Sequence, residues 1–190
     1  CGVLGSVWNL EFESKLFKPN KVVFSLNELI VNVIKELEHI LDDAKKIKFE
    51  YHFDTEYLVD ADSRRIGQVI SNVIDNSIKS ISEQGTGRGV ISISTNVEKI
   101  TSTIPNLGGD YYPQHMVIVS IKDTGIALDN EILPRLFTKF ATKSFQGTGL
   151  GLYLSKNIIE AHGGKIWAEN NKDRFGATVS FSLPLTNKVI

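Results

Sequence analysis

At 190 residues, 42% apolar and 23% charged, the chain is long enough for one globular domain with a substantial core and too short for two of ordinary size. Lysine plus arginine (21) nearly balance aspartate plus glutamate (22), so no long-range field favours nucleic acid or an anionic membrane as a partner. The single cysteine, Cys1, excludes an internal disulfide framework and a cysteine-based zinc site and fits a reducing, cytoplasmic setting, while no apolar run approaches the roughly 20 residues of a membrane span.

Residues 1–21 lack a clean period and a basic signal flank, and read as a lead-in or as the end of a preceding element; the domain proper is expected over 22–190. Val22 to Phe24 reads as a short strand. Ser25-Leu26-Asn27-Glu28 has the form of a capping box, and Leu29, Ile30, Val33, Ile34, Leu37, Ile40, Leu41 and Ala44 follow at helical spacing. Ile47 to Phe53 alternates as a half-buried strand, with Tyr57 to Val59 as its expected hairpin partner. Asp62 is placed to cap a second helix, which carries Ile66, Val69, Ile70, Val73, Ile74, Ile78 and Ile81 on one face and ends before a glycine-rich loop at 85–89.

Val90 to Val97 alternates again. Residues 99–114, rich in Thr, Pro, Gly and Asn, predict a long connection, and Met116 to Ile121 the returning strand. A loop, a helical turn near Asp129 to Leu133 and a weakly patterned stretch to Phe145 precede the last helix. That helix is expected to begin at Thr148, to bury Leu150, Leu154, Ile158 and Ala161, and to stop at His162-Gly163-Gly164; two strands, Lys165 to Glu169 and Ala177 to Leu183, close the chain. The interleaving of helices with mostly antiparallel strands predicts an α+β fold, a two-layer sandwich of one mixed sheet of about five strands under three helices.

Three constellations carry chemistry. On the second helix, at about 100° per residue, Asn72, Asn76 and Lys79 fall within roughly 60° of one another and away from the isoleucine stripe. An amide oxygen suits magnesium, and a lysine one turn on reaches phosphate oxygens; a plain solvated face is the alternative. Asp123-Thr124-Gly125 ends a strand in a carboxylate able to accept from an exocyclic amine, with a glycine that would leave room for a flat ring. The same triplet serves as an ordinary turn, and in aspartic proteases, which need a second such loop and an all-β fold. Gly147-Thr148-Gly149-Leu150-Gly151-Leu152 opens the last helix, where free N–H groups and the helix dipole would meet an anion; read alone it also fits a tight turn, a helix contact or a dinucleotide loop.

Taken in order, with Leu136-Phe137 and Phe140 between the second and third, these elements closely resemble the catalytic, ATP-binding domain of sensor histidine kinases, in the superfamily shared with gyrase, Hsp90 and MutL, whose architecture is the Bergerat fold. The resemblance runs from about Val22 to Pro184, with Gly176-Ala177-Thr178 before the final strand as a further correspondence. It implies ATP and Mg2+ as ligands: Asn76 on the metal, Lys79 on phosphate, Asp123 on the adenine amine beside Gly125 and Ile126, and Gly147, Thr148, Gly149, Leu150 and Gly151 around the phosphates. Thr178 would bond near adenine. Residues 138–146 would form a lid anchored by Phe137 and Phe140, with Lys143 on the γ-phosphate.

Two departures from the family pattern bear on function. Ala127 replaces the second glycine of Asp-x-Gly-x-Gly, which would strain the loop by about 1 kcal/mol if the position needs a positive φ. Asn72 stands where ATP-hydrolysing relatives carry a glutamate base, and an amide cannot take that proton, so phosphate transfer to a histidine is expected rather than hydrolysis. None of His39, His52, His115 and His162 is the expected acceptor; His162 suits a cation at a helix C-terminus. The resemblance therefore implies a fragment, inactive in autophosphorylation without an upstream phosphoacceptor hairpin. Its longer parent would be a homodimer, with a response regulator receiver domain as partner and room for a membrane anchor. An ATPase of the gyrase type, an anti-sigma-type serine kinase and a nucleotide-binding pseudokinase are the rival readings.

Overall fold

The computed structural model describes residues 18–41, 46–85, 87–103, 111–141, 149–172 and 175–186. In chain order they form β1 (Val22–Ser25), α1 (Leu26–Ile40), β2 (Lys46–Phe53), β3 (Leu58–Ala61), α2 (Ser63–Glu83), β4 (Arg88–Thr103), β5 (Tyr111–Asp123), a 3-10 turn (Leu133–Arg135), α3 (Gly151–Ala161), β6 (Ile166–Asn170) and β7 (Ala177–Pro184). Five strands make one sheet in the order β2-β4-β5-β7-β6, in which only β2 and β4 run parallel; β1 and β3 form a separate antiparallel pair. The mixed sheet under three helices is the architecture expected from the sequence. Among the described residues no helix is long and apolar enough to cross a membrane.

The helix starts follow from their caps. Ser25 Oγ accepts from the Glu28 N–H at 3.2 Å to open α1, and Asp62 Oδ1 accepts from the Arg65 N–H at 3.2 Å to open α2. Asp62 also receives the Asn20 N–H on Oδ2 at 3.0 Å, which ties the chain ahead of β1 to the head of α2. Burial pushes the Asp62 carboxyl up. The two backbone donors, with Arg64, outweigh it and leave the group below its ordinary value.

Inward residues of the sheet, Ile91, Ile93, Val117, Val119, Ile121 and Phe181, pack beneath the isoleucine stripe of α2 and Leu26, Ile30 and Ile34 of α1. Each fully buried aliphatic or aromatic side chain contributes about 1.5–3 kcal/mol, so this layer fixes α2 over the strand ends that carry the site.

Four expectations change. Tyr57 to Val59 does not pair with β2: Leu58–Ala61 pairs with β1, because the Leu26 N–H donates to Tyr57 O at 2.9 Å and draws β3 to the start of α1, while β2 takes β4 as its neighbour. The strands flanking the long connection extend to Thr103 and from Tyr111 in continuous register, since β-branched and aromatic residues stay paired where a loop was expected. The third helix begins at Gly151, not Thr148. Its inward stripe is Ser155, Ile158, Ile159 and His162, a 3-1-3 spacing in which two of four members are polar, and Leu150 and Ala161 lie exposed. His162 is no cation at the helix end: its buried ring accepts the Asp62 N–H on Nε2 at 3.0 Å, so that nitrogen is unprotonated and Nδ1 donates to Ile158 O at 2.7 Å.

Candidate functional site

The inward alternation Val117, Val119, Ile121 brings Asp123 to the helix side of the sheet as β5 ends, where it is 5% exposed. Its Oδ1 accepts the Gly125 N–H at 2.8 Å and its Oδ2 the Ser77 hydroxyl at 3.3 Å. Burial pushes the carboxyl above its ordinary value, against the Gly125 and Ala177 N–H groups and the Ser77 hydroxyl, which favour the ion. A carboxylate offers about four acceptor positions, so these bonds leave capacity for an external N–H donor.

The loop after Asp123 is clamped from both sides. From α2, Ser80 Oγ accepts the Ile126 N–H at 2.9 Å and donates to Ile126 O at 3.1 Å, and Gln84 Nε2 donates to Thr124 O at 2.7 Å. Ser77, Ser80 and Gln84 share one edge of the helix, three and four residues apart. From the end of β6, the Asn170 amide exchanges two bonds with the Leu128 backbone at 2.7 and 2.8 Å, and Asn171 Nδ2 donates to Asp123 O at 2.8 Å and Phe175 O at 2.6 Å. A Cβ on Gly125 would collide with Ser80 and the α2 backbone, so this glycine permits the close approach of loop to helix.

Helix α3 runs antiparallel to α2: Gly151 at its start lies against Asn72, and His162 at its end bonds the cap of α2. Its positive end therefore faces the half of α2 that carries Asn76 and Lys79. Asn72 Nδ2 donates to Ser155 Oγ at 2.9 Å, and a Cβ on Gly151 would stand 2.5 Å from Asn72 Oδ1. Among the described residues no side chain caps α3, which leaves its first turn to other acceptors. Asn72, Asp75, Gly151 and Ser155 line a cleft of about 230 Å³ between the two helices. Burial pushes the Asp75 carboxyl up, with Lys79 opposing. Asn76 is half-buried and has no side-chain hydrogen-bond partner among the described residues, and Lys79 is exposed on the same edge.

The fold thus brings Asn72 against Gly151, with Asn76 and Lys79 about one and two turns further along α2, and sets the Asp123–Ile126 loop on the neighbouring edge of that helix. Phe137 packs against the core, as an anchor should. Phe140 does not anchor through its ring, which is 70% exposed; its N–H donates to Gly149 O at 3.1 Å, and both residues hold φ near +60° (63° and 64°). Thr178 alternates on β7 with the inward Ala177 and Val179, and its hydroxyl donates to Asn171 Oδ1 at 2.7 Å. Ala127 is not among the residues with positive φ, so the expected strain there does not arise. Lys143, Gly147, Thr148 and most of the expected lid lie outside the described residues. Sequence reasoning missed Ser77, Ser80, Gln84, Asn170 and Asn171; the first three were findable as a polar edge at helical spacing, and the asparagine pair gave no local signal.

Residues 61–187 match the family model described as histidine kinase-, DNA gyrase B- and HSP90-like ATPase. The sensor histidine kinase WalK of Bacillus subtilis is 28% identical over 181 residues, which are 92% of this chain and 26% of WalK. The chain spans about a quarter of the length of the curated relatives it matches. Among solved structures, the nucleotide-free catalytic domain of histidine kinase ThkA superposes with a TM-score of 0.68 at 32% identity, covering 87% of this chain and 95% of that one. ThkA in complex with the response regulator protein TrrA gives a TM-score of 0.65 at 28% identity, covering 96% of this chain and 49% of that one.

Proposed function

The chain belongs to the histidine kinase-, DNA gyrase B- and HSP90-like ATPase family, as a histidine kinase catalytic domain, and we propose that it binds ATP between the Asp123 loop, α2 and the start of α3 and transfers the γ-phosphate to a histidine on a separate helical hairpin. One observation carries this reading: the site has opposite hydrogen-bonding polarity at its two ends. Asp123, with acceptor capacity to spare, matches the exocyclic amine of adenine. The start of α3, with Gly149, Gly151 and Lys79, offers donors and positive charge to phosphates.

Asn76 fits a magnesium ion held jointly with phosphate oxygens. Its amide oxygen is uncommitted, and the described residues contain no cluster of three acidic, histidine or cysteine ligands that would hold a metal alone. Bound there, magnesium would neutralise charge on the phosphate oxygens. The chain's own residues do the positioning: Ile126 lies beside the base, and Lys79 draws the phosphates along α2. Asn72, locked to Ser155, holds α3 against α2 and offers no base for water, which favours transfer over hydrolysis.

The acceptor hairpin lies upstream in a longer homodimeric protein, and a response regulator receives the phosphate; the ThkA complex with TrrA supports that partner class. Calorimetric titration with a non-hydrolysable ATP analogue and Mg2+ should give saturable heat, weakened at least about tenfold in Asp123→Ala. No saturable binding would leave a nucleotide-free module. Brisk ATP hydrolysis by the chain alone, lost in Asn76→Ala, would favour the ATPase reading.

A further inference from the structure

We propose that Asn171 is a positioning residue for base recognition, holding Asp123 in the pose that accepts the exocyclic amine and being itself held by Thr178. This rests on the reading of Asp123 as the amine acceptor.

The β5–β7 ladder ends at Lys122 and Thr178, so the Asp123 carbonyl lies one residue beyond the last pairing and faces the Phe175 carbonyl across the turn. Two carbonyl acceptors brought this close, one of them buried, are best satisfied by a donor between them. Asn171, 8% exposed, supplies both amide hydrogens, at 2.8 Å to Asp123 O and 2.6 Å to Phe175 O. Its Oδ1 takes the Thr178 hydroxyl at 2.7 Å, and its own N–H donates to Gly176 O at 3.2 Å. The amide has one workable orientation, because a flip would set Oδ1 against two carbonyls. Both of its hydrogens are committed, so Asn171 acts through Asp123 rather than on a nucleotide.

The turn that Asn171 closes also carries Gly176, whose Cα lies so near the Asp123 carbonyl and Oδ1 that no Cβ fits. Asp123 is therefore walled by Gly176 on one side and held by Gly125 and Ser77 on the other. Removing the Asn171 amide frees the turn, and with it one wall of the carboxylate. Thr178 acts at one remove, since its hydroxyl fixes which way the amide points.

The test compares dissociation constants, with Mg2+, for ATP and for purine riboside triphosphate, which lacks only the 6-amino group. In the unaltered chain the analogue should bind about tenfold or more weakly. In Asn171→Ala that ratio should fall at least about threefold, with affinity for the analogue within about twofold of the unaltered chain. Thr178→Val, which leaves Asn171 and Asp123 in place, should move the ratio the same way by less and decides the matter if Asn171→Ala does not fold. A plain structural role predicts that both nucleotides weaken together at constant ratio, and that result in both variants overturns the proposal. Asp123→Ala separates the two readings. If the ratio collapses there but holds in the other variants, only the role of Asn171 falls; if it survives in Asp123→Ala, base reading by Asp123 falls and the role of Asn171 with it.

Discussion

Gly176→Ala tests how tightly Asp123 is walled. Two costs add. Gly176 sits at φ +67°, and an alanine there meets a left-handed penalty of about 1 kcal/mol. The new Cβ would also collide with the Asp123 carbonyl oxygen and stand 2.6 Å from its Oδ1, where ordinary contact begins at 3.4 Å, so the strand-end backbone must shift and the carboxylate must recede by about 0.8 Å. Overpacking of this kind costs about 1–3 kcal/mol, giving a total near 2–4 kcal/mol in urea denaturation. A displaced carboxylate also loses its bond to adenine, and ATP affinity in calorimetry should fall at least about tenfold. Gly163→Ala is the internal control: it shares the positive φ (+78°), but its nearest neighbour, Pro184 Cγ, is at 3.6 Å. It should lose only about 1 kcal/mol and bind ATP normally. If Gly176→Ala matches Gly163→Ala in both assays, the wall is not what places Asp123.

Burial raises the Asp123 carboxyl, so its neutral form persists to higher pH than in an ordinary carboxylate, whose value is 3.8. ATP binding, which needs the ion, should weaken on acidification with a midpoint above that value, and Asp123→Asn should flatten the profile. For stability without nucleotide the sign reverses: the contribution of this group is full below its unfolded value and lost as pH rises through the raised one. Asp62 behaves oppositely. Asp62→Ala should cost about 1–2 kcal/mol at neutral pH in chemical denaturation, and the difference should shrink as pH falls below 3.8, through the depressed value of the native carboxyl. Thr95 is 2% exposed in β4 and its hydroxyl has no partner, so Thr95→Val should stabilise by about 1 kcal/mol, seen as a higher Tm in calorimetry; a lower Tm would show that the hydroxyl is satisfied in solution.

Much of the scaffold was legible because its signals are local. Ser25 and Asp62 cap helices within three residues of themselves, and the isoleucines of α2 repeat at helical spacing, so those elements stand where the sequence places them. The α3 stripe was misread because Ser155 and His162 occupy inward positions through bonds to Asn72 and Asp62, 83 and 100 residues away. An apolar pattern cannot register a buried polar side chain whose partner is remote. The pairing of β3 with β1 escaped for a related reason: alternation marks a strand but does not choose its neighbour.

By itself the sequence determined the kinds of chemistry present: a carboxylate at a strand end, amides and a lysine along one helix edge, and a glycine-bounded helix start, in an order that marks the family. Residue type and short spacing carry that information. Only the tertiary structure decided what each group is free to do. It gave the Thr178 hydroxyl to Asn171, used Gly125 for helix contact, relieved Ala127 of strain and surrounded Asp123 with Ser77, Asn171 and Gly176. The bonds that Ser77 and Asn171 make to Asp123 join groups 46 and 48 residues apart in the chain, and only folding brings them within bonding distance.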